Sequence, residues 1–297
     1  MYTITIPSYG RAEILGETTL ALLERIGNTN IVKIFVNDEN QSNRYEKELD
    51  NYEYSFDLEI ITTDVRGIGN TRNYIRNYFP VDTHIIMLDD DIKDICSINK
   101  DFNCLKWFDE VFAKMDEEGT RFAGANPTQN EFFMKDSVST RLCYTGAHLI
   151  FEKIREKNLE LDIDHFEDYL MNLIYFIWDG KIIRYNGVYC KTKYFNPIGG
   201  IIGEAGGKNQ RLLNAETVAD KLISTFKNMI AKKYSKKYDC INLAFTRQIK
   251  EVKPAMKNFI DHYYNKKLNY RVAIATYKRY HKLKSNTLRL LAKHNIP

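Results

Sequence analysis

No run of apolar residues in this chain is long enough to span a bilayer, and its first residues lack the charged and apolar regions of a secretory leader. A cytosolic protein with no membrane segment is expected. Cysteine is scarce and unpaired in pattern: Cys96, Cys104, Cys143, Cys190 and Cys240 form an odd set with no CxxC. Such spacing offers neither a disulfide framework nor a cysteine zinc site, so reduced, mostly buried thiols are expected. Carboxylates are nearly absent from one end. Residues 221–297 carry 19 Lys and Arg against 3 Asp and Glu, a net +16, whereas residues 1–220 carry 24 against 36, a net −12. The total of +4 hides this division. A segment so basic points to a polyanionic partner, nucleic acid first, unless it is a lysine-rich solvated helical face.

What is present reads as alternating strands and helices. "YTITIPSYGR" is an apolar strand stopped by Pro7 and Gly10, and "AEILGETTLALLERIG" spaces its leucines and isoleucines as an amphipathic helix. Strands follow at "IVKIFVND", "DLEIITTD" and "THIIMLDDD", with a helix at "GNTRNYIRNYF" before the last of them. This alternation predicts βαβ units and an α/β, mostly parallel, doubly wound sheet. A helix at "CLKWFDEVFAKMDEEG", strands at "RFAGAN" and "CYTGAHLIF", a helix at "HFEDYLMNLIYFIWDG" and a strand at "KIIRYNGVYC" complete the core over residues 1–212. Gly199, Gly200, Gly203, Gly206 and Gly207 crowd the next stretch and predict a loop or lid. Residues 213–268 read as a basic helical extension carrying Lys232, Lys233, Lys236 and Lys237. Residues 269–297 echo the opening unit: 2–29 aligns on 270–297 without a gap, with 9 of 28 positions identical, as if a second unit began there.

Ligands of a doubly wound sheet bind at the carboxyl ends of its strands. That rule places Ser8, Tyr9 and Arg11 on one rim with Asp38, Arg66 and the triplet Asp89, Asp90, Asp91. Three adjacent carboxylates repel one another, so solvent, cationic side chains or a metal ion must offset them. A hard cation such as Mg²⁺ or Mn²⁺ suits oxygen donors at a strand end. Asp89 and Asp91 share one side of an extended chain, with Asp90 on the other. Gly67 and Gly69 permit close backbone approach, and Arg72 and Asn73 lie in the first turn of the next helix, which either takes a phosphate or is simply capped. Glu167 and Asp168 open an apolar helix, where they serve the helix dipole or act as a general base. His148 and His165 stand close to these motifs as structural residues or ligand contacts.

"TIPSYGR", "GIGNTRN", "MLDDD", "TGAHLIF" and "HFEDYLMN", in that order, resemble the nucleotide-sugar core of inverting GT-A glycosyltransferases. The opening "IPSYGR" and "TLALL" are most similar to the TET/JBP-associated group, phage and kinetoplastid enzymes that glycosylate hydroxymethylated pyrimidines in DNA. The resemblance implies that Pro7, Ser8, Tyr9 and Arg11, with Arg72 and Asn73, line a uridine and phosphate pocket. It implies Asp89 and Asp91 as the metal and sugar carboxylates, Gly146 and Ala147 under the donor sugar, and Asp168, with Glu167 as competitor, as base. The implied activity is metal-dependent transfer, with inversion, of a sugar such as glucose from a UDP-sugar to hydroxymethylated DNA in a phage-infected host's cytoplasm. A glycan acceptor, or an idle nucleic-acid-binding scaffold, are the other readings.

Overall fold

The computed structural model describes residues 1–155, 161, 163–192, 208–226, 229–235 and 240–246. Most of the glycine-rich stretch, Lys236, Lys237 and the echo at 269–297 lie outside the described residues. Eleven strands are described: β1 Thr3–Pro7, β2 Val32–Val36, β3 Leu58–Thr62, β4 His84–Leu88, β5 Ile92–Ser97, β6 Phe122–Asn126, β7 Val138–Ser139, β8 Leu149–Lys153, β9 Ile183–Thr192, β10 Ile230–Ser235 and β11 Cys240–Phe245. The helices are α1, built of Ala12–Leu15, a π turn Gly16–Leu20 and Ala21–Arg25, then α2 Glu39–Leu49, α3 Ile68–Tyr78, α4 Cys104–Glu118, α5 Glu167–Asp179 and α6 Lys208–Thr225.

The central sheet has the order β3, β2, β1, β4, β8, β6, β9, β5, with β7 pairing β9. β1 to β4 are parallel neighbours, and β6 and β9 run with them, whereas β8 and β5 are reversed. The α/β, mostly parallel architecture expected from the sequence is thus present. Successive residues of a strand face opposite sides of the sheet, and here both sides are covered. Ile4, Ile6, Ile34, Ile86 and Leu88 pack with Leu15, Leu22 and Leu23 of α1 and with Trp107, Phe108 and Met115 of α4. Phe35, Ile85, Met87 and Ile150 pack on the other side with Ile75 of α3 and with Leu170, Leu173 and Phe176 of α5. Burial of both faces explains why these strands read as continuous apolar runs.

The extension departs from the reading of residues 213–268 as helical. Among its described residues only α6 is helix; 230–235 and 240–245 pair as antiparallel strands, Lys232 with Leu243 and Lys233 with Asn242. Ala219, Leu222, Ile230 and Leu243 join the same core cluster as α5. One apolar residue at the right register docks a strand that its lysines make look solvated. Among the described residues no helix is long and apolar enough to cross a membrane.

Candidate active site

Because β8 is reversed, the segment that enters it, Tyr144 to His148, arrives at the rim where the parallel strands end. The N-terminus of α5 reaches the same rim. The triplet Asp89, Asp90, Asp91 therefore meets residues from five other segments.

The three aspartates are not equivalent. Asp90 turns into the end of β1, where its Oδ2 accepts a 2.6 Å hydrogen bond from Ser8 Oγ and its Oδ1 pairs with Arg11 Nη1 at 3.0 Å. Burial pushes its carboxyl up to about 6 despite Arg11 and Ser8. Asp89 and Asp91 are more open, with side chains 29% and 18% exposed against 8% for Asp90. Asp89 lies 3.5 Å from Arg72 Nη2 and 3.3 Å from His148 Nδ1. Burial alone would raise Asp89, but the His148 hydrogen bond and the charges of Arg72 and Arg11 outweigh it and hold the group below its ordinary value. His148 moves the other way: burial opposes the imidazolium, and Asp89 more than restores it. Asp91 accepts from Thr192 Oγ1 at 2.8 Å and faces Arg11 at 3.5 Å; burial, then Asp89, raises it.

The backbone of the triplet is pinned by the π turn of α1, a feature often found at functional sites. Thr18 Oγ1 lies 3.0 Å from the Asp90 carbonyl, and Thr19 Oγ1 donates to the Asp89 carbonyl at 2.8 Å and accepts from the Ile92 amide at 2.9 Å. Sequence reasoning missed both threonines, although "GETTL" marks them as the polar pair in an apolar helix. It missed Tyr45 and Gln41 too, which hold the loop after β1: Tyr45 Oη accepts from the Arg11 amide at 2.9 Å, and Gln41 Oε1 from the Gly10 amide at 3.0 Å.

Arg72, 1% exposed, bridges the two acidic groups, its Nη2 3.5 Å from Asp89 and 3.7 Å from Glu167. Its Nε and Nη1 are buried without a hydrogen-bond partner among the described residues. Buried donors of this kind are rare and call for an acceptor. Glu167 is 6% exposed, whereas Asp168 is only partly buried. Burial, opposed by Arg72, raises both carboxyls above their ordinary values. Asp168 Oδ2 accepts from Tyr144 Oη, and its Oδ1 from the Tyr169 amide at 2.8 Å. Phe166, just before the pair, has φ 57°, the left-handed region that a bulky residue adopts only under constraint.

Several residues expected to touch a ligand also make contacts within the fold. Asp38 stands on the rim but caps α2, its Oδ1 accepting from the Gln41 amide at 3.0 Å. At the N-terminus of α3, read from sequence as either a phosphate site or a capped helix end, the Gly69 amide donates to Asp164 Oδ1 at 3.0 Å. A Cβ on Gly67 would lie 2.3 Å from Asp164 Oδ1, and one on Gly69 2.3 Å from the Ile163 carbonyl oxygen. Asn73 spends both ends of its amide on Leu161, at 2.9 and 2.8 Å. Beside Gly146, a built Cβ would lie 2.9 Å from the His148 ring. Pro7 is buried in β1, Ala147 and Tyr9 stay partly exposed on the rim, and Arg66 is exposed. On the hairpin, Lys232 and Lys233 are both exposed, with Lys232 Nζ 2.7 Å from Asp220.

Asp89, Asp90, Asp91, Glu167 and Asp168 thus face two guanidiniums, Arg11 and Arg72, and one imidazole, His148. Carboxylate outnumbers permanent positive charge, so solvent, bound protons or a cation must offset the remainder. Among the described residues no three His, Cys, Asp or Glu side chains are grouped as a metal site. Two carboxylates on a charge-rich rim still fit a hard cation that takes its other oxygens from a ligand and water.

No protein-family model matches the chain, and no curated protein sequence does. Among solved structures it is similar to Staphylococcus aureus TarS 1-349, with TM-score 0.46 and 13% identity over 75% of this chain and 65% of that one. It is also similar to a UDP-glucose pyrophosphorylase complexed with UDP-glucose, with TM-score 0.38 and 10% identity over 74% and 99%. The glycosyltransferase GlyE of Streptococcus pneumoniae gives TM-score 0.35 and 13% identity over 59% and 43%. The chain spans 39% of the longer TarS structure. Likenesses at these scores bear on neither the reaction nor the acceptor.

Proposed function

We propose that this chain is a GT-A glycosyltransferase that moves a sugar from a UDP-sugar to the hydroxyl of a hydroxymethylated pyrimidine in DNA. The observation that carries the reading is the grouping, on the rim of the sheet, of a partly open carboxylate, Asp168, with a buried arginine, Arg72, two of whose donors have no hydrogen-bond partner among the described residues. One supplies a base and the other charge for a leaving diphosphate.

Asp168 takes the proton from the acceptor hydroxyl as its oxygen attacks the anomeric carbon from the side opposite the leaving group, which inverts the centre in one displacement. Glu167 is less suited to that task, being 6% exposed and paired with Arg72. Arg72 and Arg11 stabilise the negative charge that grows on the departing phosphates. Asp89 and Asp91 are the residues that would hold Mg²⁺ or Mn²⁺, which when bound adds positive charge at the same place. Ser8 and Asp90 hold the loop after β1 in position for the nucleotide.

The DNA acceptor rests on the excess of lysine and arginine after residue 220 and on exposed Lys233. The test is incubation of the full chain with a panel of UDP-sugars and hydroxymethylated or ordinary DNA, followed by mass spectrometry of the nucleosides. A glycosylated hydroxymethylpyrimidine is the expected product. Transfer to a glycan with none to DNA would replace the acceptor and keep the fold and donor.

A further inference from the structure

The surroundings of Asp168 include a residue that no motif singled out. Tyr144 donates its phenolic hydrogen to Asp168 Oδ2, and its ring lies on that of Tyr169 with centroids 4.1 Å apart and planes within 11°. The Tyr169 amide holds the other oxygen of Asp168, and the Tyr169 hydroxyl donates to the Leu243 carbonyl of β11 at 2.6 Å. Phe245, also of β11, meets the Tyr169 ring at 5.2 Å and the Tyr144 ring at 6.5 Å. Arg184 anchors the base of the arrangement, donating to the Tyr144 carbonyl at 3.0 Å. Asn172 ties the same segment to α5, accepting from the Thr145 amide at 3.1 Å and donating to the Asp168 carbonyl at 2.8 Å.

From this geometry we infer that Tyr144 is a positioning residue for Asp168, and that the C-terminal hairpin clamps the tyrosine pair through Phe245 and the Leu243 carbonyl. The inference rests on the reading of Asp168 as the base. A carboxylate on the first turn of a helix has rotamers to choose from, and bonds to both oxygens select one of them. The remaining lone pairs are then free for one proton, which passes from the acceptor hydroxyl to Asp168 while Tyr144 keeps its own. Burial and the Asp168 charge hold the Tyr144 phenol well above its ordinary value, so it remains a donor at working pH. The extension is therefore more than an electrostatic tail: part of it buttresses the proposed base.

Removing the phenol hydrogen bond takes away a stabiliser of ionised Asp168. The other groups that face this carboxylate are Glu167 beside it, Arg72 from α3, His148 from the approach to β8 and the Tyr169 amide; Y144F leaves all of them in place. The Y144F chain should lose about 10-fold to 100-fold in kcat, with KM for the UDP-sugar unchanged. The acid limb of its kcat profile should move to higher pH, with little change in Tm. F245L should give a smaller kcat loss of the same kind, with DNA affinity and its salt dependence unchanged. The same Asp168 shift should be visible, without turnover, by NMR titration of carboxyl-labelled aspartate, assigned with D168N. Wild-type kcat and an unmoved Asp168 titration in Y144F would overturn the role of Tyr144, and an unaffected F245L would overturn the clamp. Full transfer by D168N would instead remove the base assignment, whatever Y144F does.

Discussion

Ser8 Oγ donates a 2.6 Å hydrogen bond to Asp90 Oδ2, joining the end of β1 to the middle of the acidic triplet across 82 residues of chain. Asp90 is 6% exposed there, and burial lifts its pKa from 3.8 to about 6. The folded state thus binds this proton more tightly than the unfolded chain does. Its favourable contribution is full below pH 3.8 and is lost as pH rises to about 6. Two pKa units correspond to on the order of 3 kcal/mol. Thermal unfolding of wild type should therefore lose stability relative to D90N between pH 4 and 6, roughly the window of this shift. Parallel stability profiles for the two proteins would dismiss the buried-proton account.

Asp168 and Glu167 are separated by environment, and their substitutions should separate too. D168N should lower transfer by about 100-fold to 10,000-fold, the range of general-base catalysis, while UDP binding stays near wild type. E167Q, which leaves Arg72 opposite a neutral amide, should retain most of the turnover. Steady-state kinetics with calorimetry of UDP binding distinguishes them, and the reverse order would make Glu167 the base.

Arg72 has two donors without a hydrogen-bond partner among the described residues, and a phosphate is an acceptor that suits them. R72Q should weaken UDP by about 10-fold to 100-fold, the loss of a charge-assisted hydrogen bond or two. It should also reduce Tm, because Asp89 and Glu167 lose their shared cation. Wild-type UDP affinity in a folded R72Q would place the diphosphate elsewhere.

Asp91 tests the cation. UDP should bind wild type more tightly with Mg²⁺ or Mn²⁺ than with a chelator, and D91N should abolish that difference. UDP affinity in D91N that still responds to the divalent ion would take the metal away from this carboxylate.

Gly69 tests the N-terminus of α3. An alanine there meets the Ile163 carbonyl at 2.3 Å, a backbone atom that can yield only by moving the segment before α5. G69A should destabilise by about 1–3 kcal/mol, as overpacking does, and should impair turnover by displacing Asp168. Chemical denaturation with activity at low temperature would check both. A neutral effect on stability would show that this loop packs differently.

Much of the frame was legible in the sequence because hydrophobic periodicity is local. β1 to β4, α3, α4 and α5 stand where alternating or 3.6-residue patterns put them. α2 went unread since "ENQSNRYEKEL" buries only Ser42, Tyr45 and Leu49. The hairpin was misread because Lys232 and Lys233 hide a strand whose partner, Leu243, is buried. The acidic triplet and the Glu167, Asp168 pair could be singled out as charges that end an apolar strand or open an apolar helix.

What those groups do was not local. Asp38, Asn73, Gly67 and Gly146 carry the residue types of a ligand site, and only the folded chain shows that they also meet the Gln41 amide, Leu161, Asp164 and His148. Tyr144 and Thr192 have ordinary sequence contexts, Thr18 and Thr19 stand out only as a polar pair in an apolar helix, and only closure of the sheet brings the four to the triplet and to Asp168. The sequence by itself determined β1 to β4, α3, α4 and α5 and the rim where the parallel strands end, since backbone geometry and burial act between near neighbours. Tertiary structure decided which carboxylate is buried, which is held by a tyrosine and which stays open, because desolvation and pairing depend on partners tens of residues away.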